Sequence, residues 1–159
     1  MNKVILTIFV LISFSCKAQQ FDNINQNDLT LNGINFLIDS KTNHTSSIIN
    51  AFGYPDSIED YFFEMDSIIG KKYYYKNGLV LYISNNSLFS FEITGNVYSF
   101  SSKNIKIGDN ISSMEAKYPT SYLNRNNSTI LLTYGICDCN FQIEYDSNNI
   151  ITKIWLYVY

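Results

Sequence analysis

The sequence predicts an α+β fold of two similar β-α-βββ halves, with short helices packed on one face of an antiparallel sheet. Three observations predict it. Aromatic residues are abundant, with 13 Tyr and 11 Phe in 159 residues against 7 Gly and 2 Pro, a bias toward strands. A helix-like segment closed by proline occurs twice, at Ser46–Pro55 and at Ser112–Pro119. Each of these segments is followed by three short apolar runs separated by turn residues.

Residues 1–18 read as a signal peptide. Lys3 supplies a positive charge, and Val4 to Phe14 is an apolar run broken only by Thr7 and Ser13. Such a run matches a signal-peptide core and falls short of the roughly 20 residues that span a bilayer. Two cleavage schemes stay open. Ser13-Phe14-Ser15-Cys16 resembles a bacterial lipobox, in which Cys16 is lipidated and becomes the first residue. Cys16-Lys17-Ala18 also fits a small-x-small site, leaving a soluble protein that starts at Gln19. Either way the expectation is an exported protein of the bacterial cell envelope, as an outer-membrane lipoprotein or a periplasmic or secreted form. Residues 19–28 are polar and read as a tether.

The first half covers residues 29–95. Leu29–Asn32 and Ile34–Ile38 are a leading strand pair. Thr45, Ile48, Ile49 and Phe52 then recur on one helical face, with Gly53 at the C-cap and Pro55 barring continuation. Lys72–Tyr75, Leu79–Ser84 and Leu88–Ile93 follow as strands, joined by the hairpin signal Asn77-Gly78 and by Asn85-Asn86. The second half covers residues 96–159. Val97–Phe100 and Ile105–Ile107 lead, and Ile111, Met114 and Tyr118 mark the helix. Thr129–Tyr134, Asn140–Tyr145 and Ile150–Tyr157 are the strands, with Asp146 to Asn149 as a turn.

This punctuation and strand order resemble the tandem αβ architecture of the β-lactamase-inhibitor protein and, within each half, of BamE-type outer-membrane lipoproteins. The resemblance covers residues 29–157 and is one of architecture alone, so it carries over no site residue. It implies a binding protein rather than an enzyme.

Alternation sorts the sheet into two faces. Leu79, Leu81, Ile83, Phe89, Phe91, Ile93, Ile143, Ile150, Thr152, Ile154 and Leu156 are assigned to the core. Val80, Tyr82, Ser90, Glu92, Gln142, Glu144, Lys153, Trp155 and Tyr157, with Tyr74 nearby, fall on the other side. Trp and Tyr dominate interface hot spots, so Tyr74, Tyr82, Glu92, Glu144, Lys153, Trp155 and Tyr157 form a candidate partner-binding face. The competing reading has these rings covered by the other half or by the C-terminal tail.

Composition narrows the chemistry. The formal charge is −3 with no basic cluster, which gives nucleic-acid binding no support. No cofactor motif stands in the chain. His44 is the sole histidine, placed just before a helix, and no candidate nucleophile has a recognisable partner. Glu59 to Asp66 reads as a charged loop. Cys137 and Cys139 are either packed thiols or a mutual disulfide. In a plain strand such a pair stands about 6–7 Å apart, so a bond needs a turn, which Gly135 could help to provide. Two cysteines and a distant histidine do not make a metal site. The expected function is a non-enzymatic module docking an unknown envelope protein, anchored to the membrane if Cys16 is acylated. An inhibitor or immunity-like protein and an enzyme without recognisable motif are the alternatives.

Overall fold

The computed structural model describes residues 21–35, 45–64, 67–135 and 139–158, with Tyr157 and Val158 described by backbone alone. The signal segment, Cys16, Cys137 and His44 lie outside these residues. In chain order the elements are β1 (Asn23–Ile24), a 3₁₀ turn (Gln26–Asp28), β2 (Thr30–Leu31), β3 (Ile34–Asn35) and α1 (Thr45–Phe52). Four long strands follow: β4 (Ser57–Phe63), β5 (Ile68–Tyr75), β6 (Leu79–Ser84) and β7 (Ser87–Ile93). Next come β8 (Ser99–Phe100), β9 (Ile105–Lys106), α2 (Ser113–Lys117) and α3 (Pro119–Leu123). The described chain closes with β10 (Thr129–Tyr134), β11 (Cys139–Tyr145) and β12 (Ile151–Val158).

This overturns the expected α+β fold of two β-α-βββ halves. The molecule is mostly β, with one eight-stranded sheet in the order β1-β10-β11-β12-β7-β6-β5-β4 and a second sheet in the order β3-β2-β8-β9. The larger sheet is mixed, because β1 runs parallel to β10 while the other neighbours are antiparallel. The leading strand pairs do not stay in their own halves. They join each other as the second sheet, through Leu31 opposite Phe100. The helices are short pieces at the margin of this two-sheet core rather than a layer.

Two further expectations are corrected. Residues 22–28 are not a tether: Asn23 and Ile24 pair with Thr133 and Tyr134, and Ile24 is buried. Asp22 is fastened to α3 in both directions. Its backbone N–H donates to Ser121 Oγ at 2.8 Å, and its carboxylate accepts from the Ser121 N–H at 2.8 Å. Nor is the acidic stretch from Glu59 a loop, since it runs through the edge strand β4 as far as Phe63.

The local reasons for these elements are plain. Asn77 and Gly78 both take positive φ (68° and 79°), the geometry a two-residue hairpin requires. Asn85 and Asn86 (48° and 64°) do the same between β6 and β7. The α1 helix ends at Gly53, whose φ of +80° suits a residue without Cβ. Pro119 opens α3 at its first turn, where a missing N–H costs nothing, and Tyr118 before it leaves the helical region at φ −143° and ψ 71°, which separates α2 from α3.

The core lies between the sheets. Phe91 from β7 and Phe141 from β11 meet Phe100 from β8, with ring centroids 5.8 and 5.1 Å away. Leu79, Leu81, Ile93, Ile130, Leu132, Ile143 and Ile154 surround them at 0% exposure. Met114 and Tyr118 close one end, and Ile48 with the half-buried Phe52 closes another.

Candidate functional site

The larger sheet has a second face, and no described element packs across it. Two β-bulges decide which side chains it carries. In β7 the register slips between Tyr82 and Ile83: Tyr82 stands opposite Ser90, and Ile83 opposite Leu88. Phe89 is the extra residue. Leu88 and Phe91 point into the core, while Phe89 and Ser90 are both half-exposed. In β12 the slip falls at Glu144/Tyr145, and Thr152 is the extra residue between Ile151 and Lys153. Re-aiming a side chain is what a bulge does. The assignment of Phe89 and Thr152 to the core is therefore corrected, and Leu88 and Ile151 take the inward places.

Phe89 is pushed outward into an aromatic cleft of about 150 Å³, whose walls include Tyr61, Phe63, Tyr82 and Trp155. Ser90, Glu92 and Leu156 complete the lining. Neighbouring rings meet edge to face. Tyr61 and Phe63 are 4.9 Å apart at 90°, Tyr61 and Tyr82 5.2 Å at 78°, and Phe63 and Phe89 4.8 Å at 73°. This is the arrangement aromatic quadrupoles favour. Phe63 reaches its place because it lies over Gly70. A Cβ on Gly70 would meet Phe63 Cε2 at 2.4 Å and the Ile83 carbonyl oxygen at 2.3 Å.

Charge is threaded through the rings. Tyr82 donates its hydroxyl hydrogen to Glu92, and Lys153 Nζ stands 2.9 Å from the other carboxylate oxygen. Burial works to raise the Glu92 carboxyl. The hydrogen bonds from Tyr82 and Lys153, with the charge of Lys153, outweigh it and hold Glu92 below the usual carboxylate range. Burial and the bond to Glu92 push the Tyr82 hydroxyl far above the ordinary phenol value. At neutral pH the pair is a carboxylate and a neutral phenol, neither poised to exchange a proton. Lys72 Nζ lies 4.3 Å from the Tyr61 centroid and 4.8 Å from that of Tyr82, and Lys153 Nζ 4.8 Å from the Trp155 ring. Such cation–π placements hold the lysine heads against the face.

The candidate residues of the sequence are thus partly gathered. Tyr82, Glu92, Lys153 and Trp155 converge on the cleft. Tyr74 lies on the same face beside Val80 and donates to Glu59 at 3.0 Å, which raises its hydroxyl's pKa. Glu144 stands opposite Lys153, on the strand next to that of Trp155 and outside the cleft's lining. Tyr157 is in register with Asn140, and its side chain is outside the description. Tyr61, Phe63, Phe89 and Lys72 are the members that sequence reasoning missed. The alternation Glu59, Tyr61, Phe63 was the available signal for the first two, and nothing in the sequence marked the bulge that turns Phe89 outward.

Cys139 is disulfide-bonded, and its partner lies outside the described residues. Among the described residues no group of three or more His, Cys, Asp and Glu side chains stands together to hold a metal ion. Among them, too, no helix is long and apolar enough to cross a membrane, which says nothing of strands.

No family model matches the chain, and no curated protein matches it. Among solved structures it is similar to an extracellular protein containing a SCP domain from Bacillus anthracis. The identity is 9% and the TM-score 0.44, over 77% of this chain and 45% of that one. The chain thus spans less than half the length of that protein, and a likeness at this level assigns neither fold nor function.

Proposed function

We propose that this protein is a non-enzymatic binding module of the bacterial cell envelope, docking a protein partner through the aromatic face of its larger sheet. One observation carries the reading: a sheet face left open by every described element holds Tyr61, Tyr82, Phe89 and Trp155 half-buried around one cleft. Large rings bury much area at small entropic cost, which makes them interface anchors. The carboxylate in the cleft is already committed to Tyr82 and Lys153, which suits a fixed recognition surface better than proton transfer. Trp155→Ala is expected to keep the fold, by far-ultraviolet circular dichroism, while losing the partner that the parent protein captures from envelope extract. Undiminished capture of that partner by the folded variant would sink the reading.

The address belongs to the same proposal. The apolar N-terminal run followed by Ser15-Cys16 supports export with acylation at Cys16, which would hold the module at a membrane. Labelled palmitate is expected to enter the protein and to be lost in Cys16→Ser. A parent protein that takes up no label would instead be processed after Ala18.

A further inference from the structure

The larger sheet ends on β4, and among the described residues no strand pairs with its outer side. Such an edge offers a row of free backbone N–H and C=O groups to an extended chain. Strand β4 holds no proline or lysine and pairs with β5 residue for residue, without a bulge. The usual guards of an edge are therefore missing, apart from the carboxylates of Glu59 and Asp60. Its side chains divide by face. Ile58, Asp60 and Phe62 lie on the core side, opposite Tyr73, Lys71 and Ile69. Glu59, Tyr61 and Phe63 lie on the open side, opposite Lys72, Gly70 and Ile68. Ile58, Phe62 and Ile69 are 53%, 54% and 73% exposed, so the second sheet leaves this corner of the core side uncovered.

The register decides which chain fits, and a second copy of β4 does not. Antiparallel pairing about a two-fold axis sets one residue against itself, and each axis through the middle of the strand brings a mismatch. Through Ile58, Glu59 or Asp60, like carboxylates meet. Through Tyr61, Asp60 meets Phe62 and Glu59 meets Phe63; through Phe62, Asp60 meets Glu64. Strand β5 shows what does fit. Side chains of a strand point to the faces of its sheet, so both neighbours of β4 meet the same groups. β5 answers Ile58, Asp60 and Phe62 with Tyr73, Lys71 and Ile69, and Glu59 with Lys72. Lys71 already pairs with Asp60. A second cation beyond β4 is still attracted, because it stands one strand spacing from the carboxylate and two from the lysine. We infer that β4 accepts an antiparallel strand from a partner protein, one with two adjacent basic residues flanked by apolar ones. This edge adjoins the aromatic face, and its use does not depend on that face.

The probe is a fluorescein-labelled, end-capped peptide copying Ile68–Tyr75, titrated with the whole mature protein and followed by fluorescence anisotropy. Saturable binding is expected, with the same peptide at least about tenfold weaker once both lysines are replaced by glutamate. Asp60→Lys is expected to reverse that preference, so that the glutamate peptide binds more tightly. Equal affinity of the parent protein for the two peptides would overturn the inference, as would a preference that folded Asp60→Lys leaves unchanged. Absence of saturable binding by the folded parent protein would overturn it too. A dimer in sedimentation equilibrium whose affinity Asp60→Lys alters would give the edge to a second copy, with the same consequence. If Asp60→Lys fails to fold, the two peptides on the parent protein still decide. The docking reading stands or fails separately, because Asp60 lies outside the lining of the cleft. Asp60→Lys should spare the capture that Trp155→Ala loses, and Trp155→Ala should spare the peptide.

Discussion

Truncating Phe100 to alanine is expected to cost about 3–5 kcal/mol of folding stability, the usual range for a buried phenylalanine. Phe100 is 0% exposed and belongs to the small sheet, yet its ring lies against Phe91 and Phe141 of the large one. The two-residue strands β8 and β9 have little ladder of their own, so this ring joins the layers. Its loss leaves a cavity that neither rigid sheet can collapse to fill. Urea denaturation followed by circular dichroism measures the change, with Val97→Ala at a 52% exposed site as the control expected within about 0.5 kcal/mol of the parent. A Phe100→Ala loss no larger than the control's would mean that the second sheet does not depend on the shared ring cluster.

Gly70→Ala is the second large effect, and it acts on the other face. The added methyl would stand 2.3 Å from the Ile83 carbonyl oxygen and 2.4 Å from the Phe63 ring. The ring can swing away, but the backbone of the neighbouring strand must shift. Overpacking of this kind costs about 1–3 kcal/mol. Phe63 touches both Tyr61 and Phe89, so its displacement should also open the cleft and alter Trp155 fluorescence. Phe63→Leu added to Gly70→Ala should return part of the lost stability, a coupling visible in a double-mutant cycle. Strict additivity of the two changes would show that the ring does not bear the clash, leaving the Ile83 carbonyl alone.

Much of the strand content was legible. Leu79–Ser84 alternates, and Asn77-Gly78 could hardly serve anywhere but a hairpin. The open face was legible in outline for the same reason, since Tyr82, Glu92, Lys153 and Trp155 occupy out-facing positions of well-patterned strands. Errors came where the pattern carries no information. A bulge inserts one residue without any marker in the sequence, so strict alternation placed Phe89 and Thr152 on the wrong side. Strand β4 sits at an edge, where Ile58 and Phe62 remain more than half exposed and charges are tolerated, so it read as a loop. The fold class failed for a reason of topology. Thr30–Leu31 and Ser99–Phe100 are two-residue strands whose pairing crosses the halves, and local periodicity cannot report a partner almost 70 positions away. Ile24 escaped notice as one of two apolar residues, with Phe21, in a polar stretch, though its burial beside Tyr134 makes β1 part of the sheet.

That small parallel strand has a mechanical meaning. Asp22 is clasped by Ser121 and Asn23 is paired to Thr133, so the leash available to a module acylated at Cys16 is residues 17–21. Five residues at about 3.5 Å each reach no farther than ~17 Å. The body would then ride close against the bilayer with the β1–β10 margin nearest the lipid, and its search volume for any soluble partner would be a thin shell. A partner would have to come to the membrane, or already reside there, to meet the rings on the open face.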